Sequence, residues 1–540
     1  MVVRRQILTA LGAGAAVTAT GGLLLPGPAG AALGLGGAAA LAGDCVPAPA
    51  TPKRQLRATW LASVVNIDWP SRQGLSVAQQ KAEYLRWLDQ AEAQRLNAIF
   101  VQVRPTADAF WPSPYEPWSE WLTGTRGKDP GYDPLAFLVK EAHRRNLEFH
   151  AWFNPYRVSM PAPGGAGVDI DKLAPDHPVR QHRDWVVPYP INAPGARLYY
   201  NPGIPEVRGF VQEAIMDAVV HYDLDAVHFD DYFYPYPAAG QQFADSETYA
   251  RYGSGFDNVH DWRRHNINLL VAELSEKIHT AKPWVKFGIS PFGIWRNKAT
   301  DPLGSETNGL QSYDAIYADS RKWVREQWVD YINPQVYWNI GFTVADYAKL
   351  VPWWSDVVAG TDVQLYVGQA AYKIGTSGAW LDPAELSRHL TFNRDYPQVA
   401  GDVHFSAKDL RADKLGAITR LVTEQYSRPA LIPVHAARGG AAPPSPVITT
   451  LHRAENEVSL QLQPTAGGAP TAYAVYRFDG AGVPDCGFAD AAHLLGTVRA
   501  DGGTASFEDK SATVGQTFTY AATALDRLHH ESPPSPGRTT

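Results

Sequence analysis

Between residues 55 and 428 the chain alternates strand-like and helix-like segments without interruption, and this alternation constrains the fold more than any other feature. The strand-like runs are RATWLASV (57–64), LNAIFVQVRP (96–105), LEFHAWFNP (147–155) and DLDAVHFDDY (223–232). They continue with VKFGISPFG (285–293), DYINPQVYW (330–338), VQLYVGQAAY (363–372) and GDVHFSAK (401–408). Helices follow each of them. Ser76 with Gln79 reads as a capping box, and Asp133-Pro134 as a helix start. Others run from Pro205 to near Tyr222, from His260 to before Pro283, and over 319–327. The remaining three begin near Val344, begin at Asp382-Pro383, and end near Tyr426. Strict alternation requires a parallel sheet, and eight units close a (β/α)8 TIM barrel of the α/β class. The competing open, doubly wound sheet would call for a glycine-rich phosphate loop, which is not present.

After Pro429 the pattern changes. HAARGGAAPPSP (435–446) reads as a linker, and the short alternating runs beyond it predict a small all-β sandwich over 447–540. No cluster of reactive residues falls there, so the sandwich reads as an accessory module. The first 32 residues have a charged start, with Arg4 beside Arg5, a mild Ala/Gly/Leu run and small residues at the end. That is the pattern of a twin-arginine secretion signal, cleaved after Ala31 or Ala32. The expected organisation is therefore signal 1–32, linker 33–54, barrel 55–430, linker 431–446 and sandwich 447–540, in an exported, extracellular or wall-associated protein.

The net charge of −7, without a long basic run, argues against nucleic acid or an anionic membrane as partner. No stretch after residue 50 is long and apolar enough to span a bilayer. Cys45 and Cys486 are the only cysteines. They are too far apart for a redox CxxC or a cysteine zinc site, but are candidates for one long-range disulfide.

Four connections after strands are long, about 106–132, 156–203, 233–258 and 294–318, while those before strands are short. Long loops at strand C-termini place the chemistry at that end of the barrel. Side-chain alternation then sorts each strand. Ala226, His228 and Asp230 face the lumen, with Val227 and Phe229 turned to the helices. Gln102 and Arg104 point inward, as do His150, Trp152 and Asn154, and Asn333, Gln335 and Tyr337. So many polar groups must hydrogen-bond to each other or to a ligand. Asp230, at a strand C-terminus, is the leading candidate for nucleophile or general acid. Asp231 should point the other way unless the strand twists. Glycoside hydrolysis uses two carboxyl groups, and Asp108, Asp245, Glu247 and Asp319 remain open as partners. Trp69, Trp111, Trp118, Trp121, Tyr156, Tyr232, Tyr234, Trp295 and Trp338 crowd the same loops, where aromatic faces suit the C–H faces of sugars.

The blocks RATWLASVVNIDWP, VQVRPTADAFWPS, WFNPYR, NPGIPEVR, HFDDYFYP, DWRRHN, SPFGIW, DSRKWV and INPQVYW resemble the glycosyl-hydrolase-like family 10 proteins of bacteria, which are distinct from the family 10 xylanases. The resemblance spans about 55–428. It implies a TIM-barrel glycosidase acting on peptidoglycan glycan strands, notably those stripped of stem peptides. It also implies Asp230 and Asp231 as the catalytic candidates. Arg104, Asp108, Asn154, His228, Gln335 and Tyr337 match positions expected to line the glycan cleft, to which the aromatics Tyr156, Tyr232 and Trp338 are added. The C-terminal module looks like a fibronectin type III domain. No cofactor or metal is expected, since the first strand lacks the paired histidines of metal-dependent barrels. The alternative to an exported glycoside hydrolase is a non-catalytic carbohydrate-binding protein on a degenerate barrel.

Overall fold

A computed structural model of the protein describes residues 52–161, 168–191, 193, 195–465, 469–489 and 491–540. The secretion-signal pattern and Cys45, and with it any Cys45–Cys486 pairing, lie outside these residues.

The eight barrel strands are β1 (Leu56–Leu61), β2 (Ala98–Arg104), β3 (Glu148–Phe153), β4 (Ala226–Phe229), β5 (Lys286–Ile289), β6 (Tyr331–Ile332), β7 (Gln364–Gln369) and β8 (Val399–His404). Each pairs with its neighbours in sequence, all in parallel, and β8 closes on β1. The helices between them are α1 (Val77–Ala93), α2 (Pro134–Arg144), α3 (Pro205–His221), α4 (Val259–Ala281), α5 (Ser320–Arg325), α6 (Tyr347–Val358), α7 (Glu385–Asn393) and, after β8, α8 (Ala417–Gln425). The capping box at Ser76 and Gln79 and the Asp133-Pro134 start are both present.

Several boundaries differ from the sequence expectation, each for a local reason. Strand β6 is only two residues long rather than spanning 330–338. Pro334 lacks an N–H for the ladder, and pairing resumes only as isolated bridges from Gln335 to Phe292 and Gly368. Helix α6 begins at Tyr347 rather than near Val344 because Asp346 Oδ1 accepts the Ala348 N–H at 2.9 Å. Asp382 caps the turn before α7 through the Ala384 N–H, so α7 starts later than Asp382-Pro383. The last helix is split. After Ala407–Ala412, Asp413 (φ 39) turns the chain, and its carboxylate receives the Ile418 and Thr419 N–H groups at 2.7 and 3.1 Å to start α8.

Two apolar layers result. Ile99, Val101, Val103, Val227 and Phe229 pack outward against the helices, whereas Trp60, Phe100, Trp152, Tyr331 and Tyr366 fill the lumen. Lumen filling depends on glycine opposite bulk. A Cβ on Gly288 would meet the Tyr331 ring at 2.1 Å. Gly288→Ala is therefore expected to destabilise by about 1–3 kcal/mol through overpacking. Urea unfolding checks this, and wild-type stability would refute it.

The C-terminal region forms two antiparallel sheets. Strands β9 (Val447–Ala454), β10 (Glu457–Gln463) and β13 (Ala505–Asp509) make one, in the order β9-β10-β13. Strands β11 (Ala472–Asp479), β12 (Leu494–Arg499), β14 (Phe518–Leu525) and β15 (Arg538–Thr539) make the other, in the order β12-β11-β14-β15. This module sits against the N-terminal ends of the barrel strands. His529 Nε2 is 2.7 Å from Glu148 Oε1, Arg527 Nη1 is 2.6 Å from Asp223 Oδ1, and Asn146 donates to the Thr497 hydroxyl at 2.7 Å. It closes the end of the barrel opposite the long loops. No helix among the described residues is long and apolar enough to cross a membrane.

Candidate functional site

Strand β4 ends at Phe229, and the chain turns immediately afterwards. The turn brings Asp230 and Asp231 to the barrel mouth together instead of sending Asp231 to the outer layer. Asp230 is 5% exposed. Its Oδ2 accepts Trp152 Nε1–H at 3.1 Å and its Oδ1 the Tyr232 backbone N–H at 3.0 Å, while Asn154 Nδ2 lies 3.2 Å from both oxygens. Burial, with the neighbouring Asp231 charge adding to it, pushes the Asp230 carboxyl up to about 6. Asp231 accepts Gln335 Nε2–H at 2.7 Å and the Tyr236 hydroxyl. Gln335 lies beyond β6, so Asp231 reaches across the end of β5, and both carboxyl groups belong to one site.

Asn154 is itself held. Its Oδ1 accepts the Arg157 N–H at 2.9 Å, which fixes the amide so that its NH2 faces Asp230. The Arg157 guanidinium donates to the Pro105 carbonyl and lies 4.8 Å from the Tyr232 ring centre. Tyr232 stacks on Tyr236 at 4.8 Å, and Tyr236 meets Phe292 at 5.3 Å, giving an aromatic patch beside Asp231. Farther round the mouth, Tyr337 packs near Tyr372 and Phe405, and Phe405 near Trp60. Lys373 Nζ donates to the Tyr337 carbonyl at 2.6 Å, and burial lowers its ammonium to about 8. Trp338 is half-buried, its ring fitting where Gly293 has no side chain.

The structure thus brings Asp230, Asp231, Asn154, Tyr232 and Gln335 together, with Tyr337 and Trp338 on the same segment as Gln335. It does not bring Arg104, Asp108, Tyr156 or His228 to the surface of the mouth. All four are 0% exposed. Arg104 is an internal brace, paired through Nε and Nη2 with Glu116 and through Nη1 with the Asn154 and Pro155 carbonyls. Asp108 closes its own turn, accepting the Thr106 N–H and hydroxyl at 2.9 and 3.1 Å. Tyr156 belongs to the outer core.

His228 is one member of a chain of hydrogen bonds along the lumen. His150 Nε2 faces Glu148 Oε2 at 2.9 Å and so carries its proton, leaving Nδ1 to accept from the Tyr331 hydroxyl at 2.9 Å. Tyr331 then accepts from His228 Nδ1 at 3.1 Å, and His228 Nε2 accepts from Trp60 Nε1 at 3.2 Å. Burial holds the His228 imidazole well below its ordinary range, so it is neutral. Its part is to fix Trp60, Tyr331 and Ser290 beneath the site.

Three of the four open partner carboxylates are engaged elsewhere. Besides Asp108, Asp245 is paired with Arg263 at 2.9 Å, and Asp319 accepts Trp295 Nε1–H at 2.9 Å. Glu247 is exposed on the helix Ser246–Tyr252. Most of the loop aromatics turn out to be packing residues. Trp69, Trp111, Tyr156 and Tyr234 are at most 1% exposed. Residues that sequence reasoning passed over are Arg157, Tyr236 and Lys373, while strand parity places Trp152 in the lumen without a role. Tyr236 immediately follows HFDDYFYP, but Arg157 and Lys373 sit in irregular loops with no periodic signal. No group of three or more potential metal ligands occurs among the described residues.

The sequence profile of the family described as "Glycosyl hydrolase-like 10" matches residues 55–384. The chain belongs to this family. It is 49% identical over 493 residues to glycosyl hydrolase YngK of Bacillus subtilis (strain 168), covering 90% of this chain and 93% of that protein. To glycosyl hydrolase DigH of Escherichia coli (strain K12) it is 40% identical over 382 residues, covering 67% and 86%. Among solved structures it is similar to the endo-1,4-beta-mannanase of Rhizomucor miehei, with a TM-score of 0.42, 11% identity and coverage of 70% and 98%. In a glycosyl hydrolase-like 10 protein, a carboxyl pair at the barrel mouth supports glycoside hydrolysis of a carbohydrate substrate.

Proposed function

We propose that the protein is an exported glycosidase that hydrolyses cell-wall glycan strands of the peptidoglycan type, in particular strands without stem peptides. The observation that carries this reading is the Asp230–Asp231 pair at the barrel mouth, one carboxyl pushed up to about 6 and each held by neutral donors. Asp230 acts as general acid, protonating the departing glycosidic oxygen. Supporting the choice of polymer are the half-buried rings of Tyr232, Tyr236 and Trp338 near the pair, the likeness of the whole barrel to its family, and the secretion-signal pattern that would deliver the chain to the wall.

The test is to incubate the purified protein with peptidoglycan stripped of its peptides and to measure soluble saccharides by mass spectrometry. Soluble oligosaccharides are expected. Tight binding with no product over long incubation would favour the binding-protein alternative and reject the enzyme. The pH profile follows from Asp230. A carboxyl raised from 3.8 to about 6 keeps its proton into mildly acidic solution, so activity that needs the acid form falls as pH rises through about 6. A rate that kept rising from pH 6 to 8 would reject Asp230 as the acid.

A further inference from the structure

Two carboxyl groups that flank a glycosidic bond work from opposite faces of the sugar ring, about 5–5.5 Å apart for retention and about 6.5–9.5 Å for inversion. Asp230 and Asp231 are consecutive, extend from the end of one strand, and reach the substrate from one side. Across the mouth, the segments after β7 and β8 bring Tyr372, Lys373, Phe405 and Ser406. Two acidic groups lie there. Asp68, from the loop after β1, accepts the Ala62 N–H, the Lys408 N–H and the Ser406 hydroxyl at 2.8, 3.0 and 2.8 Å, and Asp409, on the short helix after Ser406, pairs with the Lys408 ammonium and lies 3.3 Å from the Ser406 hydroxyl. Asp68 closes the turn through two backbone N–H groups and a hydroxyl, and Asp409 is neutralised by Lys408, so both of these carboxylates are committed to holding their own loops.

We propose that the substrate supplies the missing nucleophile: the site takes chains of N-acetylated 2-amino sugars and uses the carbonyl oxygen of the sugar's own 2-acetamido group. This rests on the cell-wall reading above and deepens it by naming the nucleophile. Asp231, oriented by Gln335 and Tyr236, accepts the acetamido N–H and turns its carbonyl oxygen toward C1. The Tyr232, Tyr236 and Phe292 rings beside Asp231 offer an apolar surface to the acetamido methyl. In the first step the amide oxygen bonds to C1 as the glycosidic C1–O bond breaks. The bonding pair leaves on the departing oxygen, which takes the proton of Asp230. The cyclic oxazolinium so formed keeps its N–H on Asp231. In the second step a water oxygen bonds to C1, its proton passes to the Asp230 carboxylate, and the C1–O(amide) pair returns to the amide. Two displacements at C1 retain its configuration, and the net consumption is one water.

The experiment compares initial rates on denuded strands and on the same strands chemically de-N-acetylated to free amines, and records the first-formed anomer by proton NMR. The expected result is a rate at least about 100-fold lower on the free-amine strands, because an intramolecular nucleophile is lost. Retention is expected on the N-acetylated strands, together with inhibition by the thiazoline analogue of N-acetylglucosamine, a stable mimic of the cyclic intermediate. Equal rates on the two strands, or an inverted product, would overturn the acetamido step while leaving the cell-wall reading intact. No release from either strand would overturn the cell-wall reading and this inference with it.

Discussion

Asp230→Asn protein is expected to hydrolyse glycan about 1,000-fold more slowly than wild type, within the range lost with a positioned general acid. The substitution keeps the side-chain volume and removes only the transferable proton. It also turns an NH2 toward a carboxyl site that now receives Trp152, Asn154 and Tyr232 donors, so one donor loses its acceptor. That costs about 1–3 kcal/mol of stability. Measuring melting temperature and glycan binding alongside the rate separates the two effects: the variant should bind glycan while failing to cut it. Wild-type turnover by a folded Asp230→Asn protein would remove Asp230 from the mechanism.

Arg104→Met should carry the largest stability penalty of any single change near the site, about 3–5 kcal/mol by urea unfolding. Arg104 and Glu116 have 0% exposed side chains and form an ion pair with no water access. Burial holds the Glu116 carboxyl above its ordinary range even with the guanidinium alongside, so removing Arg104 strands an acid in an apolar shell. A second change, Glu116→Leu, should restore much of the loss, because replacing both partners avoids the uncompensated charge. The single variant should also lose activity, since Arg104 braces the Asn154 carbonyl and Asn154 positions Asp230. A loss below about 1 kcal/mol would show that the pair is no more than an ordinary surface bridge.

The barrel was legible because its evidence is periodic and local. Alternating strands and helices, the Ser76 capping box and the Asp133-Pro134 start are written in neighbouring residues, and two-residue parity sorted Phe229 from Asp230. The limits of that reading are equally local. Parity assumes that the strand continues. It therefore assigned Asp231 to the outer layer, where a turn after Phe229 brings it round to Gln335. Parity also gave Arg104 an inward direction but not its partner, Glu116, which comes from a loop twelve residues on.

The amino-acid order alone determined the closed (β/α)8 barrel and the separate β-sandwich, and it singled out the C-terminal end of the strands and Asp230 as the candidates for the chemistry. Helix caps, prolines and hydrophobic spacing act over a few residues, so each is visible in the chain. The tertiary structure alone decided that Asp231, which side-chain parity turned outward, reaches Gln335 at the same end as Asp230, that Arg104, Asp108 and His228 are fully buried, and that the sandwich closes the opposite end through His529 and Glu148. Those outcomes depend on which groups from distant strands meet in a buried, low-dielectric interior. There each charge and each donor must find its partner across the fold, and the sequence does not record those meetings.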